Sequence, residues 1–232
     1  MNRNINSKLY ELYSSKLQAL TEMYSILDAE NLPTGYAGPL FMHCQEDEYL
    51  SAKKKILIVG QETNGWYDGY LTNKTELDKC LALYENFALG KNYSSFFWNY
   101  SHELVAEING SCDQNFLWTN INKFGRDDAP GKPDARVLEE ENSKLNIFAE
   151  EVKIVQPDIC IFFTGPNYDG DIKAKLPDAT FEKCSELDTR ALARVVSSAL
   201  PTASFRTYHP GYLNRGNWGI WEVVKRVLKK AL

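Results

Sequence analysis

Glu62 and His209 are the acid and the imidazole whose positions in this chain allow them to work together. Glu62 follows Gly60-Gln61 at the close of a short apolar run, Ile56–Val59, and His209 is one of three histidines, with Pro210 fixing the backbone after it. A neutral imidazole can donate a hydrogen bond to the oxygen of a leaving group. A carboxylate can steady a developing cation or orient a water. Asn120 and Asn122 carry planar amides with a donor and an acceptor side by side, which is what reading the edge of a nucleobase requires. Phe96, Phe97, Trp98 and Tyr67 offer flat faces on which a ring could stack.

These residues need a scaffold that brings distant segments to one rim. Leu9, Tyr13, Leu17, Leu20, Tyr24 and Leu27 recur at three- and four-residue steps and predict an amphipathic helix. Ile56–Val59, Phe116–Thr119, Ile159–Phe163 and Ser204–Thr207 read as short buried strands. Helices are expected around 76–89, 96–108, 137–155, 187–199 and 218–231, the last with Ile220, Val223, Val224, Val227, Leu228 and Ala231 on one stripe. Residues 125–135 and 165–184 read as loop-rich connections. Short strands alternating with helices imply parallel βαβ units. The expected fold is therefore α/β, three-layer α/β/α, with a central, mostly parallel four-stranded sheet. Residues 1–232 form one domain in this reading, with 1–50 as an N-terminal helical extension. In such sheets ligands collect at the carboxyl ends of the strands. Chain order puts "GQETNGW", "NINKFG", "TGPNY" and "HPGYLNR" there.

Composition narrows the function classes. At 232 residues, 44% hydrophobic and 25% charged, the chain has the make-up of an ordinary globular protein. No apolar stretch is long enough to cross a bilayer, and the first residues lack a secretory signal, so a cytoplasmic location and no membrane partner are expected. Five scattered cysteines match neither a metal knuckle nor a disulfide framework, and Cys160 reads as core filling. "HCQED" at 43–47 has no partner at metal-ligand spacing, so no metal is expected. A net charge of −5 argues against bulk electrostatic coating of nucleic acid but leaves room for a local patch. Arg206, Arg215, Lys225, Arg226, Lys229 and Lys230 concentrate near the C-terminus, either as such a patch or as the solvated face of a helix.

The order and wording of the motifs resemble the uracil-DNA glycosylase superfamily. Gly60-Gln61-Glu62 matches the opening of its first motif, "TNINKFGRDDAPGKP" looks like its asparagine-bearing stretch, and "TYHPGYLNR" is close to the His-Pro-x-x-Leu-x-Arg signature of its bacterial four-cysteine branch. The resemblance covers about 55 to 230. It implies that Gln61, Phe97 (with Phe96 as the alternative) and Asn120 bind the base, with Asn120 rather than Asn122 as the reader. It implies that Glu62 and His209 are catalytic, and that Leu213 enters the base stack while Arg215 holds a phosphate. The cysteines that hold an iron–sulfur cluster in that branch have no counterpart here, so no cofactor is expected. The implied partner is uracil-containing DNA, single- or double-stranded, bound by a monomer. The implied function is a glycosylase-like hydrolase that cuts the N-glycosidic bond of uracil or a related damaged base. Two alternatives stand beside it: a weak or inactive module of the same fold that binds a nucleobase, nucleotide or DNA, and a hydrolase of small nucleosides.

Overall fold

The structure is a computed structural model that describes residues 4–30, 32–216 and 218–230. Its strands are β1 (Ile56–Gly60), β2 (Phe116–Asn120), β3 (Ile159–Phe162), β4 (Thr180–Lys183), β5 (Leu192–Val196) and β6 (Ala203–Thr207). They form one mixed sheet in the order β2-β1-β3-β6-β5-β4. The four expected strands are the parallel ones, β2-β1-β3-β6. Every residue of β1, β2 and β3 is buried, the condition under which a strand can be apolar throughout.

The sheet has six strands, not four. Residues 187–199, expected as a helix, contain β5, and the 165–184 connection contains both a helix and β4. β5 runs antiparallel to β6, and β4 antiparallel to β5. Val195 and Val196 favour a pleated surface, and pairing with β6 overrides the helix-forming alanines and leucines around them. β4 is the outer strand, and its charged Glu182 and Lys183 protect that edge from further pairing.

The helices are α1 (Ile5–Ser14), α2 (Leu17–Ala29), α3 (Glu46–Ser51), α4 (Lys74–Phe87), α5 (Phe96–Asn109), α6 (Ala135–Lys144), α7 (Phe148–Val155), α8 (Asp169–Lys175), α9 (Pro210–Leu213) and α10 (Trp218–Lys230). The N-terminal stripe is split between α1 and α2. The 137–155 stripe is likewise split between α6 and α7, where Leu145 and Ile147 turn inward and are buried. At the end of β3, Phe162 packs on Phe148 of α7, while its neighbour Phe163 packs on Trp221 of α10 and Phe97 of α5. Val224 and Leu228 of the α10 stripe are buried, whereas Ala231 lies outside the described residues.

Leu9, Tyr13, Leu20, Leu27 and Phe41 belong to the same core as the sheet. Tyr13 stacks on Phe41, with ring centroids 4.1 Å apart, and donates its hydroxyl to Glu151 at 3.0 Å. Glu151 in turn pairs with Lys123 at 2.5 Å, and both are fully buried. Glu141 accepts the backbone N–H groups of Lys123 and Phe124 at 3.0 Å and pairs with Lys175 of α8 at 2.5 Å. Ion pairs removed from water are costly unless fully hydrogen-bonded. Here the bonds converge on the segment just beyond β2 and clamp it to α6, α7 and α8.

Candidate active site

The carboxyl ends of β1 and β2, together with segments that follow β3 and β6, line a cavity of about 750 Å³. The order of the sheet reverses at β1, since β2 lies on one side of it and β3 on the other. A crevice at such a switch point is where open α/β sheets take ligands. Gln61, Glu62, Phe96, Phe97, Asn120 and His209 all line it. Arg215 and Leu213 do not.

Asn120 is the last residue of β2 and is only 2% exposed. Its side-chain oxygen accepts the indole N–H of Trp118 at 3.2 Å, and its amide nitrogen is buried with no hydrogen-bond partner in the protein. The oxygen rests against Gly60 on β1, where a Cβ would stand 2.3 Å from it. No side chain fits at position 60 without moving the amide. Gly125 has a comparable role, because a Cβ there would come 1.9 Å from the Thr63 carbonyl oxygen. This contact holds the loop after β1 against the loop after β2. Asn122 faces elsewhere and donates to Asp171 at 3.2 Å.

β2 forms the other edge of the sheet. The Tyr84 hydroxyl caps it, accepting the Trp118 N–H at 3.0 Å and donating to the Trp118 carbonyl at 2.8 Å. Around the Trp118 ring lie Trp66, Phe87, Trp98 and Phe97, which build an aromatic wall. Phe97 is half-buried in the first turn of α5, whose N-terminus is capped by Ser95. Its ring lies within 23° of parallel to the His209 imidazole at 5.8 Å. Phe96 and Tyr93 sit at the mouth, 49% and 62% exposed. Tyr67 instead donates to Glu76 at 2.5 Å and lines a separate surface depression.

His209 caps α9. Its Nδ1 accepts the backbone N–H of Gly211 at 3.1 Å, so that nitrogen is unprotonated and the ring proton resides on Nε2. Burial lowers its pKa, which keeps the ring neutral and acting as an Nε2–H donor.

Glu62 lies after β1 and accepts the Tyr168 hydroxyl with both carboxylate oxygens, at 2.9 and 2.7 Å. Burial raises its pKa, while the Tyr168 hydrogen bond and the charge of Lys132 pull it back down. Lys132 Nζ lies 4.2 Å from the centre of the Tyr168 ring and pairs with Asp171 at 2.5 Å. Arg206 is buried in β6 and grips the next residue, Asp169, through two hydrogen bonds of 2.9 and 3.0 Å, which anchors the segment that carries Tyr168. Gln61 donates to the Thr164 carbonyl at 2.7 Å and ties β1 to the end of β3.

No family model matches the chain. No curated protein matches it either. What can be said of the site therefore comes from its own geometry.

Leu213 is fully buried in the core and in this conformation has no surface to offer a base stack. Four of the C-terminal cations are held by acids. Lys225 pairs with Glu103 and Glu222, Lys229 with Glu107, Arg226 with Glu186, and Arg206 with Asp169. Arg215 is exposed just beyond α9. Sequence reasoning also passed over Tyr168 and Trp118, the partners of Glu62 and Asn120. "TGPNY" marked the right segment, but nothing in it singled out the tyrosine. Among the described residues no cluster of His, Cys, Asp and Glu has the make-up of a metal site, and all five cysteines are free thiols. Among the same residues no helix is long and apolar enough to cross a membrane.

Proposed function

We propose that the protein is a DNA glycosylase-like hydrolase that cuts the N-glycosidic bond of uracil or a related damaged base, on a three-layer fold of the uracil-DNA glycosylase kind. The observation that carries this reading is that Glu62, Asn120, His209 and Phe97, which are far apart in sequence, line one cavity. The packing of Phe162 and Phe163 on different helices supports the three-layer arrangement. A cavity of about 750 Å³ has room for a base flipped out of the stack together with its sugar.

In this mechanism the base stacks on Phe97 and its edge meets the Asn120 amide. The C1′–N bond breaks, with its electron pair passing to the base. His209 Nε2–H donates to the base oxygen on which negative charge gathers, where a preorganised neutral donor is most effective. Glu62 faces the cationic sugar and orients a water, which adds to C1′ and passes a proton to the Glu62 carboxylate; that proton returns to solvent as the departed base anion takes one up. The products are the free base and an abasic site.

The test is abasic-site formation in a single-stranded oligonucleotide carrying one uracil. Wild type is expected to act, with His209→Ala and Asn120→Ala each losing about 10²- to 10³-fold in rate at unchanged melting temperature. Absence of abasic sites at any enzyme excess overturns the reading, and equal rates in the variants would identify a contaminant as the source.

One observation favours a second reading, binding of a base or nucleotide without turnover. Tyr168 occupies both oxygens of Glu62, and Lys225, Arg226 and Lys229 of α10 are engaged by acids rather than free for a phosphate backbone. Saturable binding of a free base with no cleavage of DNA would establish it.

A further inference from the structure

The Trp118 indole sits beside the base-reading amide with one chemical option. An indole N–H only donates, so the atom of Asn120 that faces it at 3.2 Å must be the carbonyl oxygen. That hydrogen bond fixes which way round the amide lies. The oxygen is further confined by Gly60, against which it is packed. The indole itself cannot swing away, because its backbone is bonded on both sides by Tyr84 and its ring is wedged among Trp66, Trp98 and Phe87. The amide nitrogen is left as a buried donor that no protein group satisfies. A buried donor without a partner is costly, and a ligand acceptor would remove that cost.

We propose that Trp118 is a specificity-determining positioning residue: by locking the Asn120 amide with its nitrogen as the unsatisfied group, it selects a base with a carbonyl at the edge it reads over the matching amino base. The proposal rests on the base-binding reading above. A ring carbonyl accepts from the amide N–H, whereas an amino group sets donor against donor. With the indole N–H gone, the amide is free to turn over, present its oxygen and accept an amino group instead. Uracil and cytosine differ in this respect at one ring position.

Two measurements test it, both on the full chain. The first is ligand-independent: the Trp118 indole N–H resonance and its solvent exchange. Asn120→Asp keeps an acceptor and should leave both near their wild-type values. Asn120→Leu should shift the resonance upfield and speed exchange. An indole proton unaffected by Asn120→Leu overturns the lock.

The second is binding of free uracil and free cytosine to wild type and to Trp118→Phe, which keeps a buried ring without the N–H. Wild type should favour uracil by about tenfold or more, since the losing base leaves a buried donor unpaired. Trp118→Phe should bring the ratio within about threefold, chiefly by improving cytosine. An unchanged ratio in a folded variant overturns the proposal even if uracil DNA is cleaved. If wild type binds neither base, the functional reading and this selectivity fall together, while the indole measurement still reports on the lock.

Discussion

Tyr168 donates its hydroxyl to both carboxylate oxygens of Glu62, at 2.9 and 2.7 Å. That hydrogen bond favours the ionised carboxylate and opposes the burial that raises the Glu62 pKa. Ionised Glu62 is the working form in the proposed mechanism, so activity should be present above its pKa and fall as the pH drops through it. Tyr168→Phe removes a contribution that lowers the pKa. The acid limb of the pH–rate profile is therefore expected to move to higher pH, with the plateau reached later. An acid limb that stays in place would mean that another group controls it.

Gly60 touches Asn120 so closely that the glycine is a requirement of the amide. Gly60→Ala puts a carbon 2.3 Å from the Asn120 oxygen and is expected to cost about 1–3 kcal/mol in stability. In an Asn120→Ala background the same change should cost much less, because the group in the way has gone. Denaturant midpoints of the four proteins in this cycle give the coupling directly. Purely additive midpoints would show that the two positions do not interact.

The Lys123–Glu151 pair is buried on both sides. Lys123→Met alone strands a carboxylate and is expected to cost about 3–5 kcal/mol, while adding Glu151→Leu should recover much of it. Urea unfolding of the single and double variants measures this. A double variant no more stable than the single one would show that the bonds from Tyr13 and Thr119 to this pair, and not its charge, dominate.

Leu213 is fully buried, so Leu213→Ala is expected to destabilise the fold by about 2–5 kcal/mol through loss of packing. Activity on single-stranded uracil DNA should persist at temperatures where the variant remains folded. Unchanged stability with loss of activity on duplex DNA alone would instead mean that Leu213 leaves the core to act on the stack.

Three of the four parallel strands were legible because Ile56–Val59, 116–118 and Ile159–Phe162 are short apolar runs, as burial on both faces favours, while β6 carries Ser204 and Arg206 among its buried residues. The site residues at their ends followed from chain order, since Gly60 and Asn120 close β1 and β2 and "HPGYLNR" begins two residues after β6. β4 and β5 were not legible. Their faces are partly or mostly exposed, and what makes them strands is antiparallel pairing with a neighbour close in the chain, β4 with β5 and β5 with β6, which a search for apolar runs does not register. The choice left open for the C-terminal cations, patch or solvated face, turned on partners remote in the chain. A local reading counts Lys225 and Lys229, but not Glu103 and Glu107, which lie on α5 more than a hundred residues earlier.

By itself, the sequence determined the four parallel strands of the sheet and the rim where Glu62, Asn120 and His209 emerge. Those properties depend on hydrophobic period and on chain order. Only the tertiary structure decided the chemical state of each group: Tyr168 on Glu62, the Gly211 N–H on His209 Nδ1, and Trp118 on the Asn120 oxygen. Hydrogen-bond partners and burial set charge, tautomer and orientation. Those of Glu62, and the burial of all three groups, come from segments that meet only when the sheet is assembled.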